Sequence, residues 1–133
     1  MRRISLALFA LLIMVSSAHA EEIVGESARG ALLFSARCSV CHASNVNKNG
    51  PLMHGVLGRK AGSVSYFAYS PAMRDSKLVW NKETLDAYLA DPPNVLPGTT
   101  MYLKVPVAKD RADIIAYLKG LSVPLAKPLD HHQ

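Results

Sequence analysis

Both cysteines of the 133-residue chain fall in one pentapeptide, Cys38-Ser39-Val40-Cys41-His42. Two thiols three positions apart, followed at once by an imidazole, form the C-x-x-C-H pattern of covalent c-type haem attachment. The chemistry accounts for the spacing. The thiols of Cys38 and Cys41 add to the two vinyl groups along one edge of a porphyrin, and His42 is placed to offer a ring nitrogen to the iron from one face. Two other chemistries share part of the pattern. A thioredoxin-like C-x-x-C follows a strand in a βαβ setting, whereas Ser27 to Arg37 has helical periodicity, with Gly30, Leu33, Phe34 and Arg37 along one side. A zinc centre needs four ligands and usually a second Cys/His pair, and the nearest candidate, His54, stands alone. One covalent haem c is therefore the expected cofactor.

An iron held by His42 on one face needs a ligand on the other. Met53, Met73 and Met101 are available, as are His54, His131 and His132. Most methionines fill cores. Met101 differs because it follows Leu96-Pro97-Gly98-Thr99-Thr100, a rigid turn with two hydroxyl residues, far along the chain from His42. A distant loop can reach the far face of the porphyrin, which the residues just after His42 do less easily. A neutral thioether also favours ferrous iron and raises the reduction potential. His131 and His132 lie in a Pro-rich polar end and are expected to be solvated.

The elements that must position these groups read as helices. The first spans Ser27 to about Cys38. A short one starts near Ser70-Pro71, where serine can cap and proline suits the first helical position. A third begins at Asn81 as N-cap, carries Leu85, Tyr88 and Leu89 on one face and is stopped by Pro92-Pro93. The last runs from about Lys109 to Lys119, with Ile114, Tyr117, Leu118 and Leu121 in helical register and Gly120 at its end. Alternating strand patterns are absent, so the fold class is all-α. Residues 124–133 read as a flexible C-terminal tail.

The N-terminus carries a different signal. Met1-Arg2-Arg3 is a basic head, Ile4 to Val15 is an uncharged run of twelve residues, and Ser16-Ser17-Ala18-His19-Ala20 ends in Ala-x-Ala. This pattern predicts a secretory signal peptide over residues 1–20, cleaved after Ala20, and a domain over 21–123. The apolar run is shorter than the ~20 residues that span a bilayer, so no membrane span is expected after cleavage. Cleavage removes Arg2 and Arg3 and lowers the formal charge from +5 to +3. No Lys/Arg block with interleaved aromatics remains, which argues against nucleic acid as a partner. With 50% hydrophobic and 19% charged residues, the chain has enough apolar surface to fold, and disordered and disulfide-framework classes are excluded.

The chain resembles class I cytochrome c, and specifically bacterial periplasmic relatives of mitochondrial cytochrome c. Beyond the haem pentapeptide, the resemblance rests on Gly50-Pro51-Leu52-Met53-His54-Gly55, Gly58-Arg59-Lys60-Ala61-Gly62, Trp80-Asn81, Glu83-Thr84-Leu85, Tyr88-Leu89, Pro97-Gly98-Thr99-Thr100-Met101 and Arg111-Ala112-Asp113-Ile114-Ile115-Ala116-Tyr117-Leu118, in that order. It implies the class I fold, short helices and loops wrapped around one haem. It also implies that the first and last helices cross at Gly30, with Phe34, Ile114 and Tyr117 around the contact. The Pro51 carbonyl would accept the second ring N–H of His42. Arg59, Tyr69 and Trp80 would hydrogen-bond the haem propionates, and Tyr88 and Thr99 would hold the surroundings of the Met101 sulfur.

The resemblance has departures. The stretch from His42 to Pro51 is shorter than in mitochondrial proteins, and Met73 replaces a common amide. Ala31, Leu32, Pro93, Asn94 and Thr100 stand where docking lysines are usual. That leaves Arg37, Lys60 and Lys104 as a thinner positive rim and implies a redox partner less dependent on charge steering.

With four porphyrin nitrogens, His42 and Met101 filling six positions, the iron has no vacancy for substrate. The expectation is a soluble, monomeric periplasmic one-electron carrier and not an enzyme. Its donor and acceptor would be redox proteins: a membrane oxidoreductase complex, an oxidase or a periplasmic dehydrogenase. The rival readings are a haem-bearing subunit of such a dehydrogenase, and a haem enzyme or sensor in which Met101 is displaceable.

Overall fold

The computed structural model describes residues 22–122. The expected signal peptide, the tail over 124–133 with His131 and His132, and the domain limits at 21 and 123 lie outside the described residues. Among the described residues, five helices follow in order: α1 (Ser27–Arg37), α2 (Pro71–Asp75), α3 (Lys82–Ala90), α4 (Pro92–Val95) and α5 (Ala108–Gly120). A single antiparallel bridge, Lys60 to Val79, is the extended pairing among the described residues.

The local signals act as physical chemistry requires. Ser70 caps α2 by accepting the Met73 N–H at 3.2 Å, and Pro71, which has no N–H to leave unpaired, takes the first position. Asn81 caps α3 reciprocally. Its side chain accepts the Thr84 N–H at 2.8 Å while the Thr84 hydroxyl accepts the Asn81 N–H at 2.9 Å, so two orphan donors are satisfied. Pro92-Pro93 ends α3 as expected, but it also opens α4, a further turn that the sequence did not reveal. The fixed φ of proline that breaks one helix is pre-set for the first turn of the next.

α1 and α5 cross at Gly30. A Cβ there would lie 1.9 Å from the Asp113 carbonyl oxygen, so only glycine lets the backbones approach this closely. Phe34 and Tyr117 pack beside the contact, ring centroids 5.3 Å apart. The buried Asp113 side chain locks the crossing: it accepts the Glu26 N–H and the Lys109 ammonium, each at 2.6 Å, and pairs with the Arg29 guanidinium. Arg111 ties α5 to α3 through Asp86 at 2.8 Å and also donates to the carbonyls of Val105 and Pro106. Phe34, Val56, Trp80, Leu85, Tyr88, Leu89, Val105, Ile114, Ile115 and Leu118 form the buried apolar core. Each such side chain contributes on the order of 1.5–3 kcal/mol by leaving water. Much of this core also faces the cavity described next.

Candidate cofactor site

The pentapeptide follows directly on α1, which sets it apart from a redox C-x-x-C placed after a strand. The Cys38 N–H still bonds to Phe34 O at 2.8 Å, and the N–H groups of Cys41 and His42 both turn back onto Cys38 O at 3.1 and 2.8 Å. This turn brings Cys38 (buried), Cys41 (exposed) and His42 to the wall of one cavity of about 390 Å³. Both thiols are free. Burial pushes the Cys38 thiol above the ordinary cysteine range, so it rests protonated at neutral pH.

The His42 ring is held tightly. Its Nδ1–H donates to the Pro51 carbonyl at 2.8 Å, which leaves Nε2 with its lone pair. Burial pushes the imidazole below the usual histidine range. The Pro51 carbonyl opposes that shift and nearby Lys48 adds to it, so the ring is neutral and able to ligate. Gly50 supports the ring from one side: a Cβ at this position would lie 2.3 Å from His42 Cε1, and the Gly50 N–H donates to Cys41 O at 2.7 Å. In sequence Gly50 enters only as the first residue of the Gly50-Pro51-Leu52-Met53-His54-Gly55 match, and its contact with the ring depends on the fold.

Met101 reaches the same cavity from the loop between α4 and α5. The loop is shaped by Gly98, whose φ of +90° suits glycine, and by the Thr99 N–H bonded to Leu96 O at 3.0 Å. The buried Thr99 hydroxyl is the hub. It shares a 2.5 Å hydrogen bond with the Tyr88 hydroxyl on α3 and accepts the Met101 N–H at 3.3 Å. Burial raises the Tyr88 phenol above its usual range, against the effect of its bond to Thr99, so it stays protonated. Thr99 thus touches the Met101 backbone, and Tyr88 is joined to it through Thr99.

Arg59, Tyr69 and Trp80 line the cavity as well. The Arg59 guanidinium donates to the carbonyls of Leu52 and His54 at 2.9 and 2.8 Å, a loop-closing task not visible in the sequence. Burial lowers its pKa, the response of a cation partly withdrawn from water. The Tyr69 hydroxyl accepts the Val64 N–H at 3.3 Å and keeps its own hydrogen to donate. Trp80 is buried against Tyr88, ring centroids 5.0 Å apart. Met53 and Met73 also border the cavity, whereas the exposed His54 does not. Among the described residues no three His, Cys, Asp or Glu side chains gather into another metal-binding group.

A haem fits these residues. Two thiols and a lone-pair nitrogen stand on one wall, a thioether comes from a separate loop, and the lining is largely apolar with a partly buried arginine at the side. The expected positive rim is corrected in part. Lys104 lies 2.7 Å from Asp91 and is matched by it, whereas Arg37 lies 3.7 Å from Asp110 and shares that carboxylate with Arg29, and the exposed Lys60 remains part of the rim.

Comparison with known proteins agrees with this site. The family model Cytochrome c matches residues 27–122. The chain is 43% identical to cytochrome c of Euglena viridis over 100 residues, covering 73% of this chain and 98% of that protein. It is 44% identical to cytochrome c of Gibberella zeae over 99 residues, covering 71% and 93%. Among solved structures, cytochrome cH from Methylobacterium extorquens superposes with a TM-score of 0.69 at 40% identity, covering 72% of this chain and 99% of that one. With the whole of α1 through α5 inside the matched region, the chain belongs to the cytochrome c family.

Proposed function

We propose that this chain is an exported, periplasmic one-electron carrier, with Cys38 and Cys41 as the thioether-forming residues and His42 and Met101 as the axial ligands. As a member of the cytochrome c family it is an electron-transfer protein that carries one covalently attached haem c, and its partners are redox proteins. The observation that carries the residue assignment is the convergence of Cys38, Cys41, His42 and Met101 on a single cavity from two separate segments. The haem supplies the one-electron Fe(II)/Fe(III) couple. The chain does the rest. The Pro51 carbonyl holds the His42 tautomer, Thr99 fixes the backbone of Met101, and Arg59 and Tyr69 would offer N–H and O–H donors to the haem propionates. The apolar core shields the site from water.

Export is supported by the basic head, apolar run and Ala18-His19-Ala20 of the N-terminus, and no helix among the described residues is long and apolar enough to cross a membrane. The test has two parts. The intact mass of the purified protein should equal the chain from Glu21 plus one haem. Carbon monoxide added to the reduced protein at neutral pH should bind slowly and incompletely, because a held Met101 blocks the iron. Rapid stoichiometric binding would instead favour an enzyme or sensor.

A further inference from the structure

The segment that delivers Met101 leaves the core at Leu89 and returns to it at Val105. A backbone bond closes its base: the Val105 N–H donates to Leu89 O at 2.8 Å, and the Val105 side chain is fully buried. Just outside that bond, the Lys104 ammonium lies 2.7 Å from the Asp91 carboxylate. Pairs between half-exposed side chains ordinarily contribute little. Two features set this one apart. Asp91 stands at the N-cap of α4, where an aspartate usually accepts an N–H of the first turn, yet it makes no such bond. Pro92 and Pro93 have no N–H to give, and the N–H groups of Asn94 and Val95 go to the Asp91 carbonyl at 3.2 and 3.1 Å. The carboxylate is thereby released from capping and turned to Lys104. Its Oδ1 is buried and unbonded among the described residues, so the ammonium at Oδ2 is what compensates the charge. A carboxylate partly withdrawn from water is held by its cation more firmly than an exposed one, and loss of the cation leaves it uncompensated.

We propose that Asp91 and Lys104 are positioning residues for Met101: their ion pair clasps the two ends of the segment between them and keeps the thioether at the iron. Neither side chain lines the cavity, so both act through that segment. Asp91 also opens α4 with its carbonyl, which couples the clasp to the first turn of the arm that carries Met101. This deepens the carrier reading and rests on Met101 as the axial ligand.

The test is imidazole entry into the oxidised holoprotein. An Fe–S bond breaks and an Fe–N bond forms with no change in oxidation state, and at saturating imidazole the rate equals that of Met101 departure. Lys104→Gln and Asp91→Asn should each raise it about fivefold. The double variant should exceed the faster single by less than about twofold, because each change removes the same interaction. Lys104→Arg keeps the charge and should stay within about twofold of the parent. Lys82→Gln breaks a different ion pair, with Glu22, at residues that do not line the cavity, and should leave the rate unchanged. Amide hydrogen exchange at Thr99 and Met101 should quicken in the single variants, while Ile115 in α5 keeps the protection of the parent. A pair that merely stabilised the fold would loosen Ile115 equally. Overturning results are single variants indistinguishable from Lys82→Gln, effects that multiply in the double variant, or a loss of protection shared by Ile115. The ligand reading fails separately, in an oxidised parent that lacks an iron–sulfur charge-transfer band or whose rate never levels off with imidazole.

Discussion

At the scale of single residues, the site depends on a few side chains whose roles follow from their partners. Thr99 is the clearest. Its hydroxyl bridges Tyr88 and the Met101 backbone, so Thr99→Val keeps the volume and removes both bonds. The variant should lose about 1–2 kcal/mol of stability, since the Tyr88 hydroxyl is left buried without its partner. It should also admit imidazole or azide to the oxidised iron severalfold faster, as read by the change in the visible spectrum. Tyr66 makes the opposite case. It sits at φ +59° with its side chain fully exposed, a left-handed conformation that costs a residue with a Cβ roughly 1 kcal/mol. Tyr66→Gly should therefore stabilise the folded protein modestly in chemical denaturation, less than about 1 kcal/mol once the added freedom of the unfolded chain is counted. That Cys38, Cys41, His42 and Met101 would be candidates for one site was legible in sequence, because C-x-x-C-H and the Pro-Gly-Thr-Thr-Met turn are local patterns, and the fold places all four on one cavity. The tasks of Gly50 and of the Arg59 guanidinium were not, because each depends on where a distant loop comes to rest.

At the scale of elements, the α1–α5 crossing is the most demanding feature. Gly30→Ala would drive a methyl group into the Asp113 carbonyl, which is backbone and cannot swing aside, so the helices must separate. A loss of about 2–3 kcal/mol is expected, measured by the denaturation midpoint of the holoprotein. Asp113 adds a pH dependence. Burial alone would raise its pKa, but hydrogen bonds from Lys109, the Glu26 N–H and Arg29 outweigh it and bring the value to about 2. A depressed carboxylate contributes stability that is complete above the unfolded value of about 4 and is lost as pH falls toward 2. Asp113→Asn should cost about 2 kcal/mol at pH 7, because the depressed carboxylate is removed, although Arg29 keeps Asp110 and Lys109 keeps Glu26. The gap to the parent should narrow between about pH 4 and pH 2, as the parent's own carboxylate protonates. Helices with their own caps, α2 and α3, were readable from Ser70-Pro71 and Asn81. The turn of α4 was not, because Pro92-Pro93 gives the same local signal for stopping as for starting.

At the scale of the whole molecule, the described residues form short helices joined by long loops, and much of the core faces the cavity. Trp80, Leu85, Tyr88, Leu89, Ile114 and Leu118 are both core and cavity wall. A group that binds the folded state alone adds its binding free energy to stability. The chain carrying Cys38→Ser and Cys41→Ser, which cannot anchor haem, should therefore show little helical signal in circular dichroism and no cooperative thermal transition. Native-like helicity in that variant would mean that the protein core is sufficient without its cofactor.

Gly50 against His42 also has a meaning for redesign. The two walls of the cavity differ in how much change they tolerate. On the histidine side, any side chain at position 50 collides with the ring, so that wall is closed to variation. Elsewhere around the cavity, Met73 can be exchanged for a residue of similar volume and different polarity, whereas Thr99 and Tyr88 hold each other and the Met101 backbone and tolerate less. An engineer who wishes to retune the potential should leave the histidine wall intact and make the changes at Met73, where the same scaffold can yield a series of carriers.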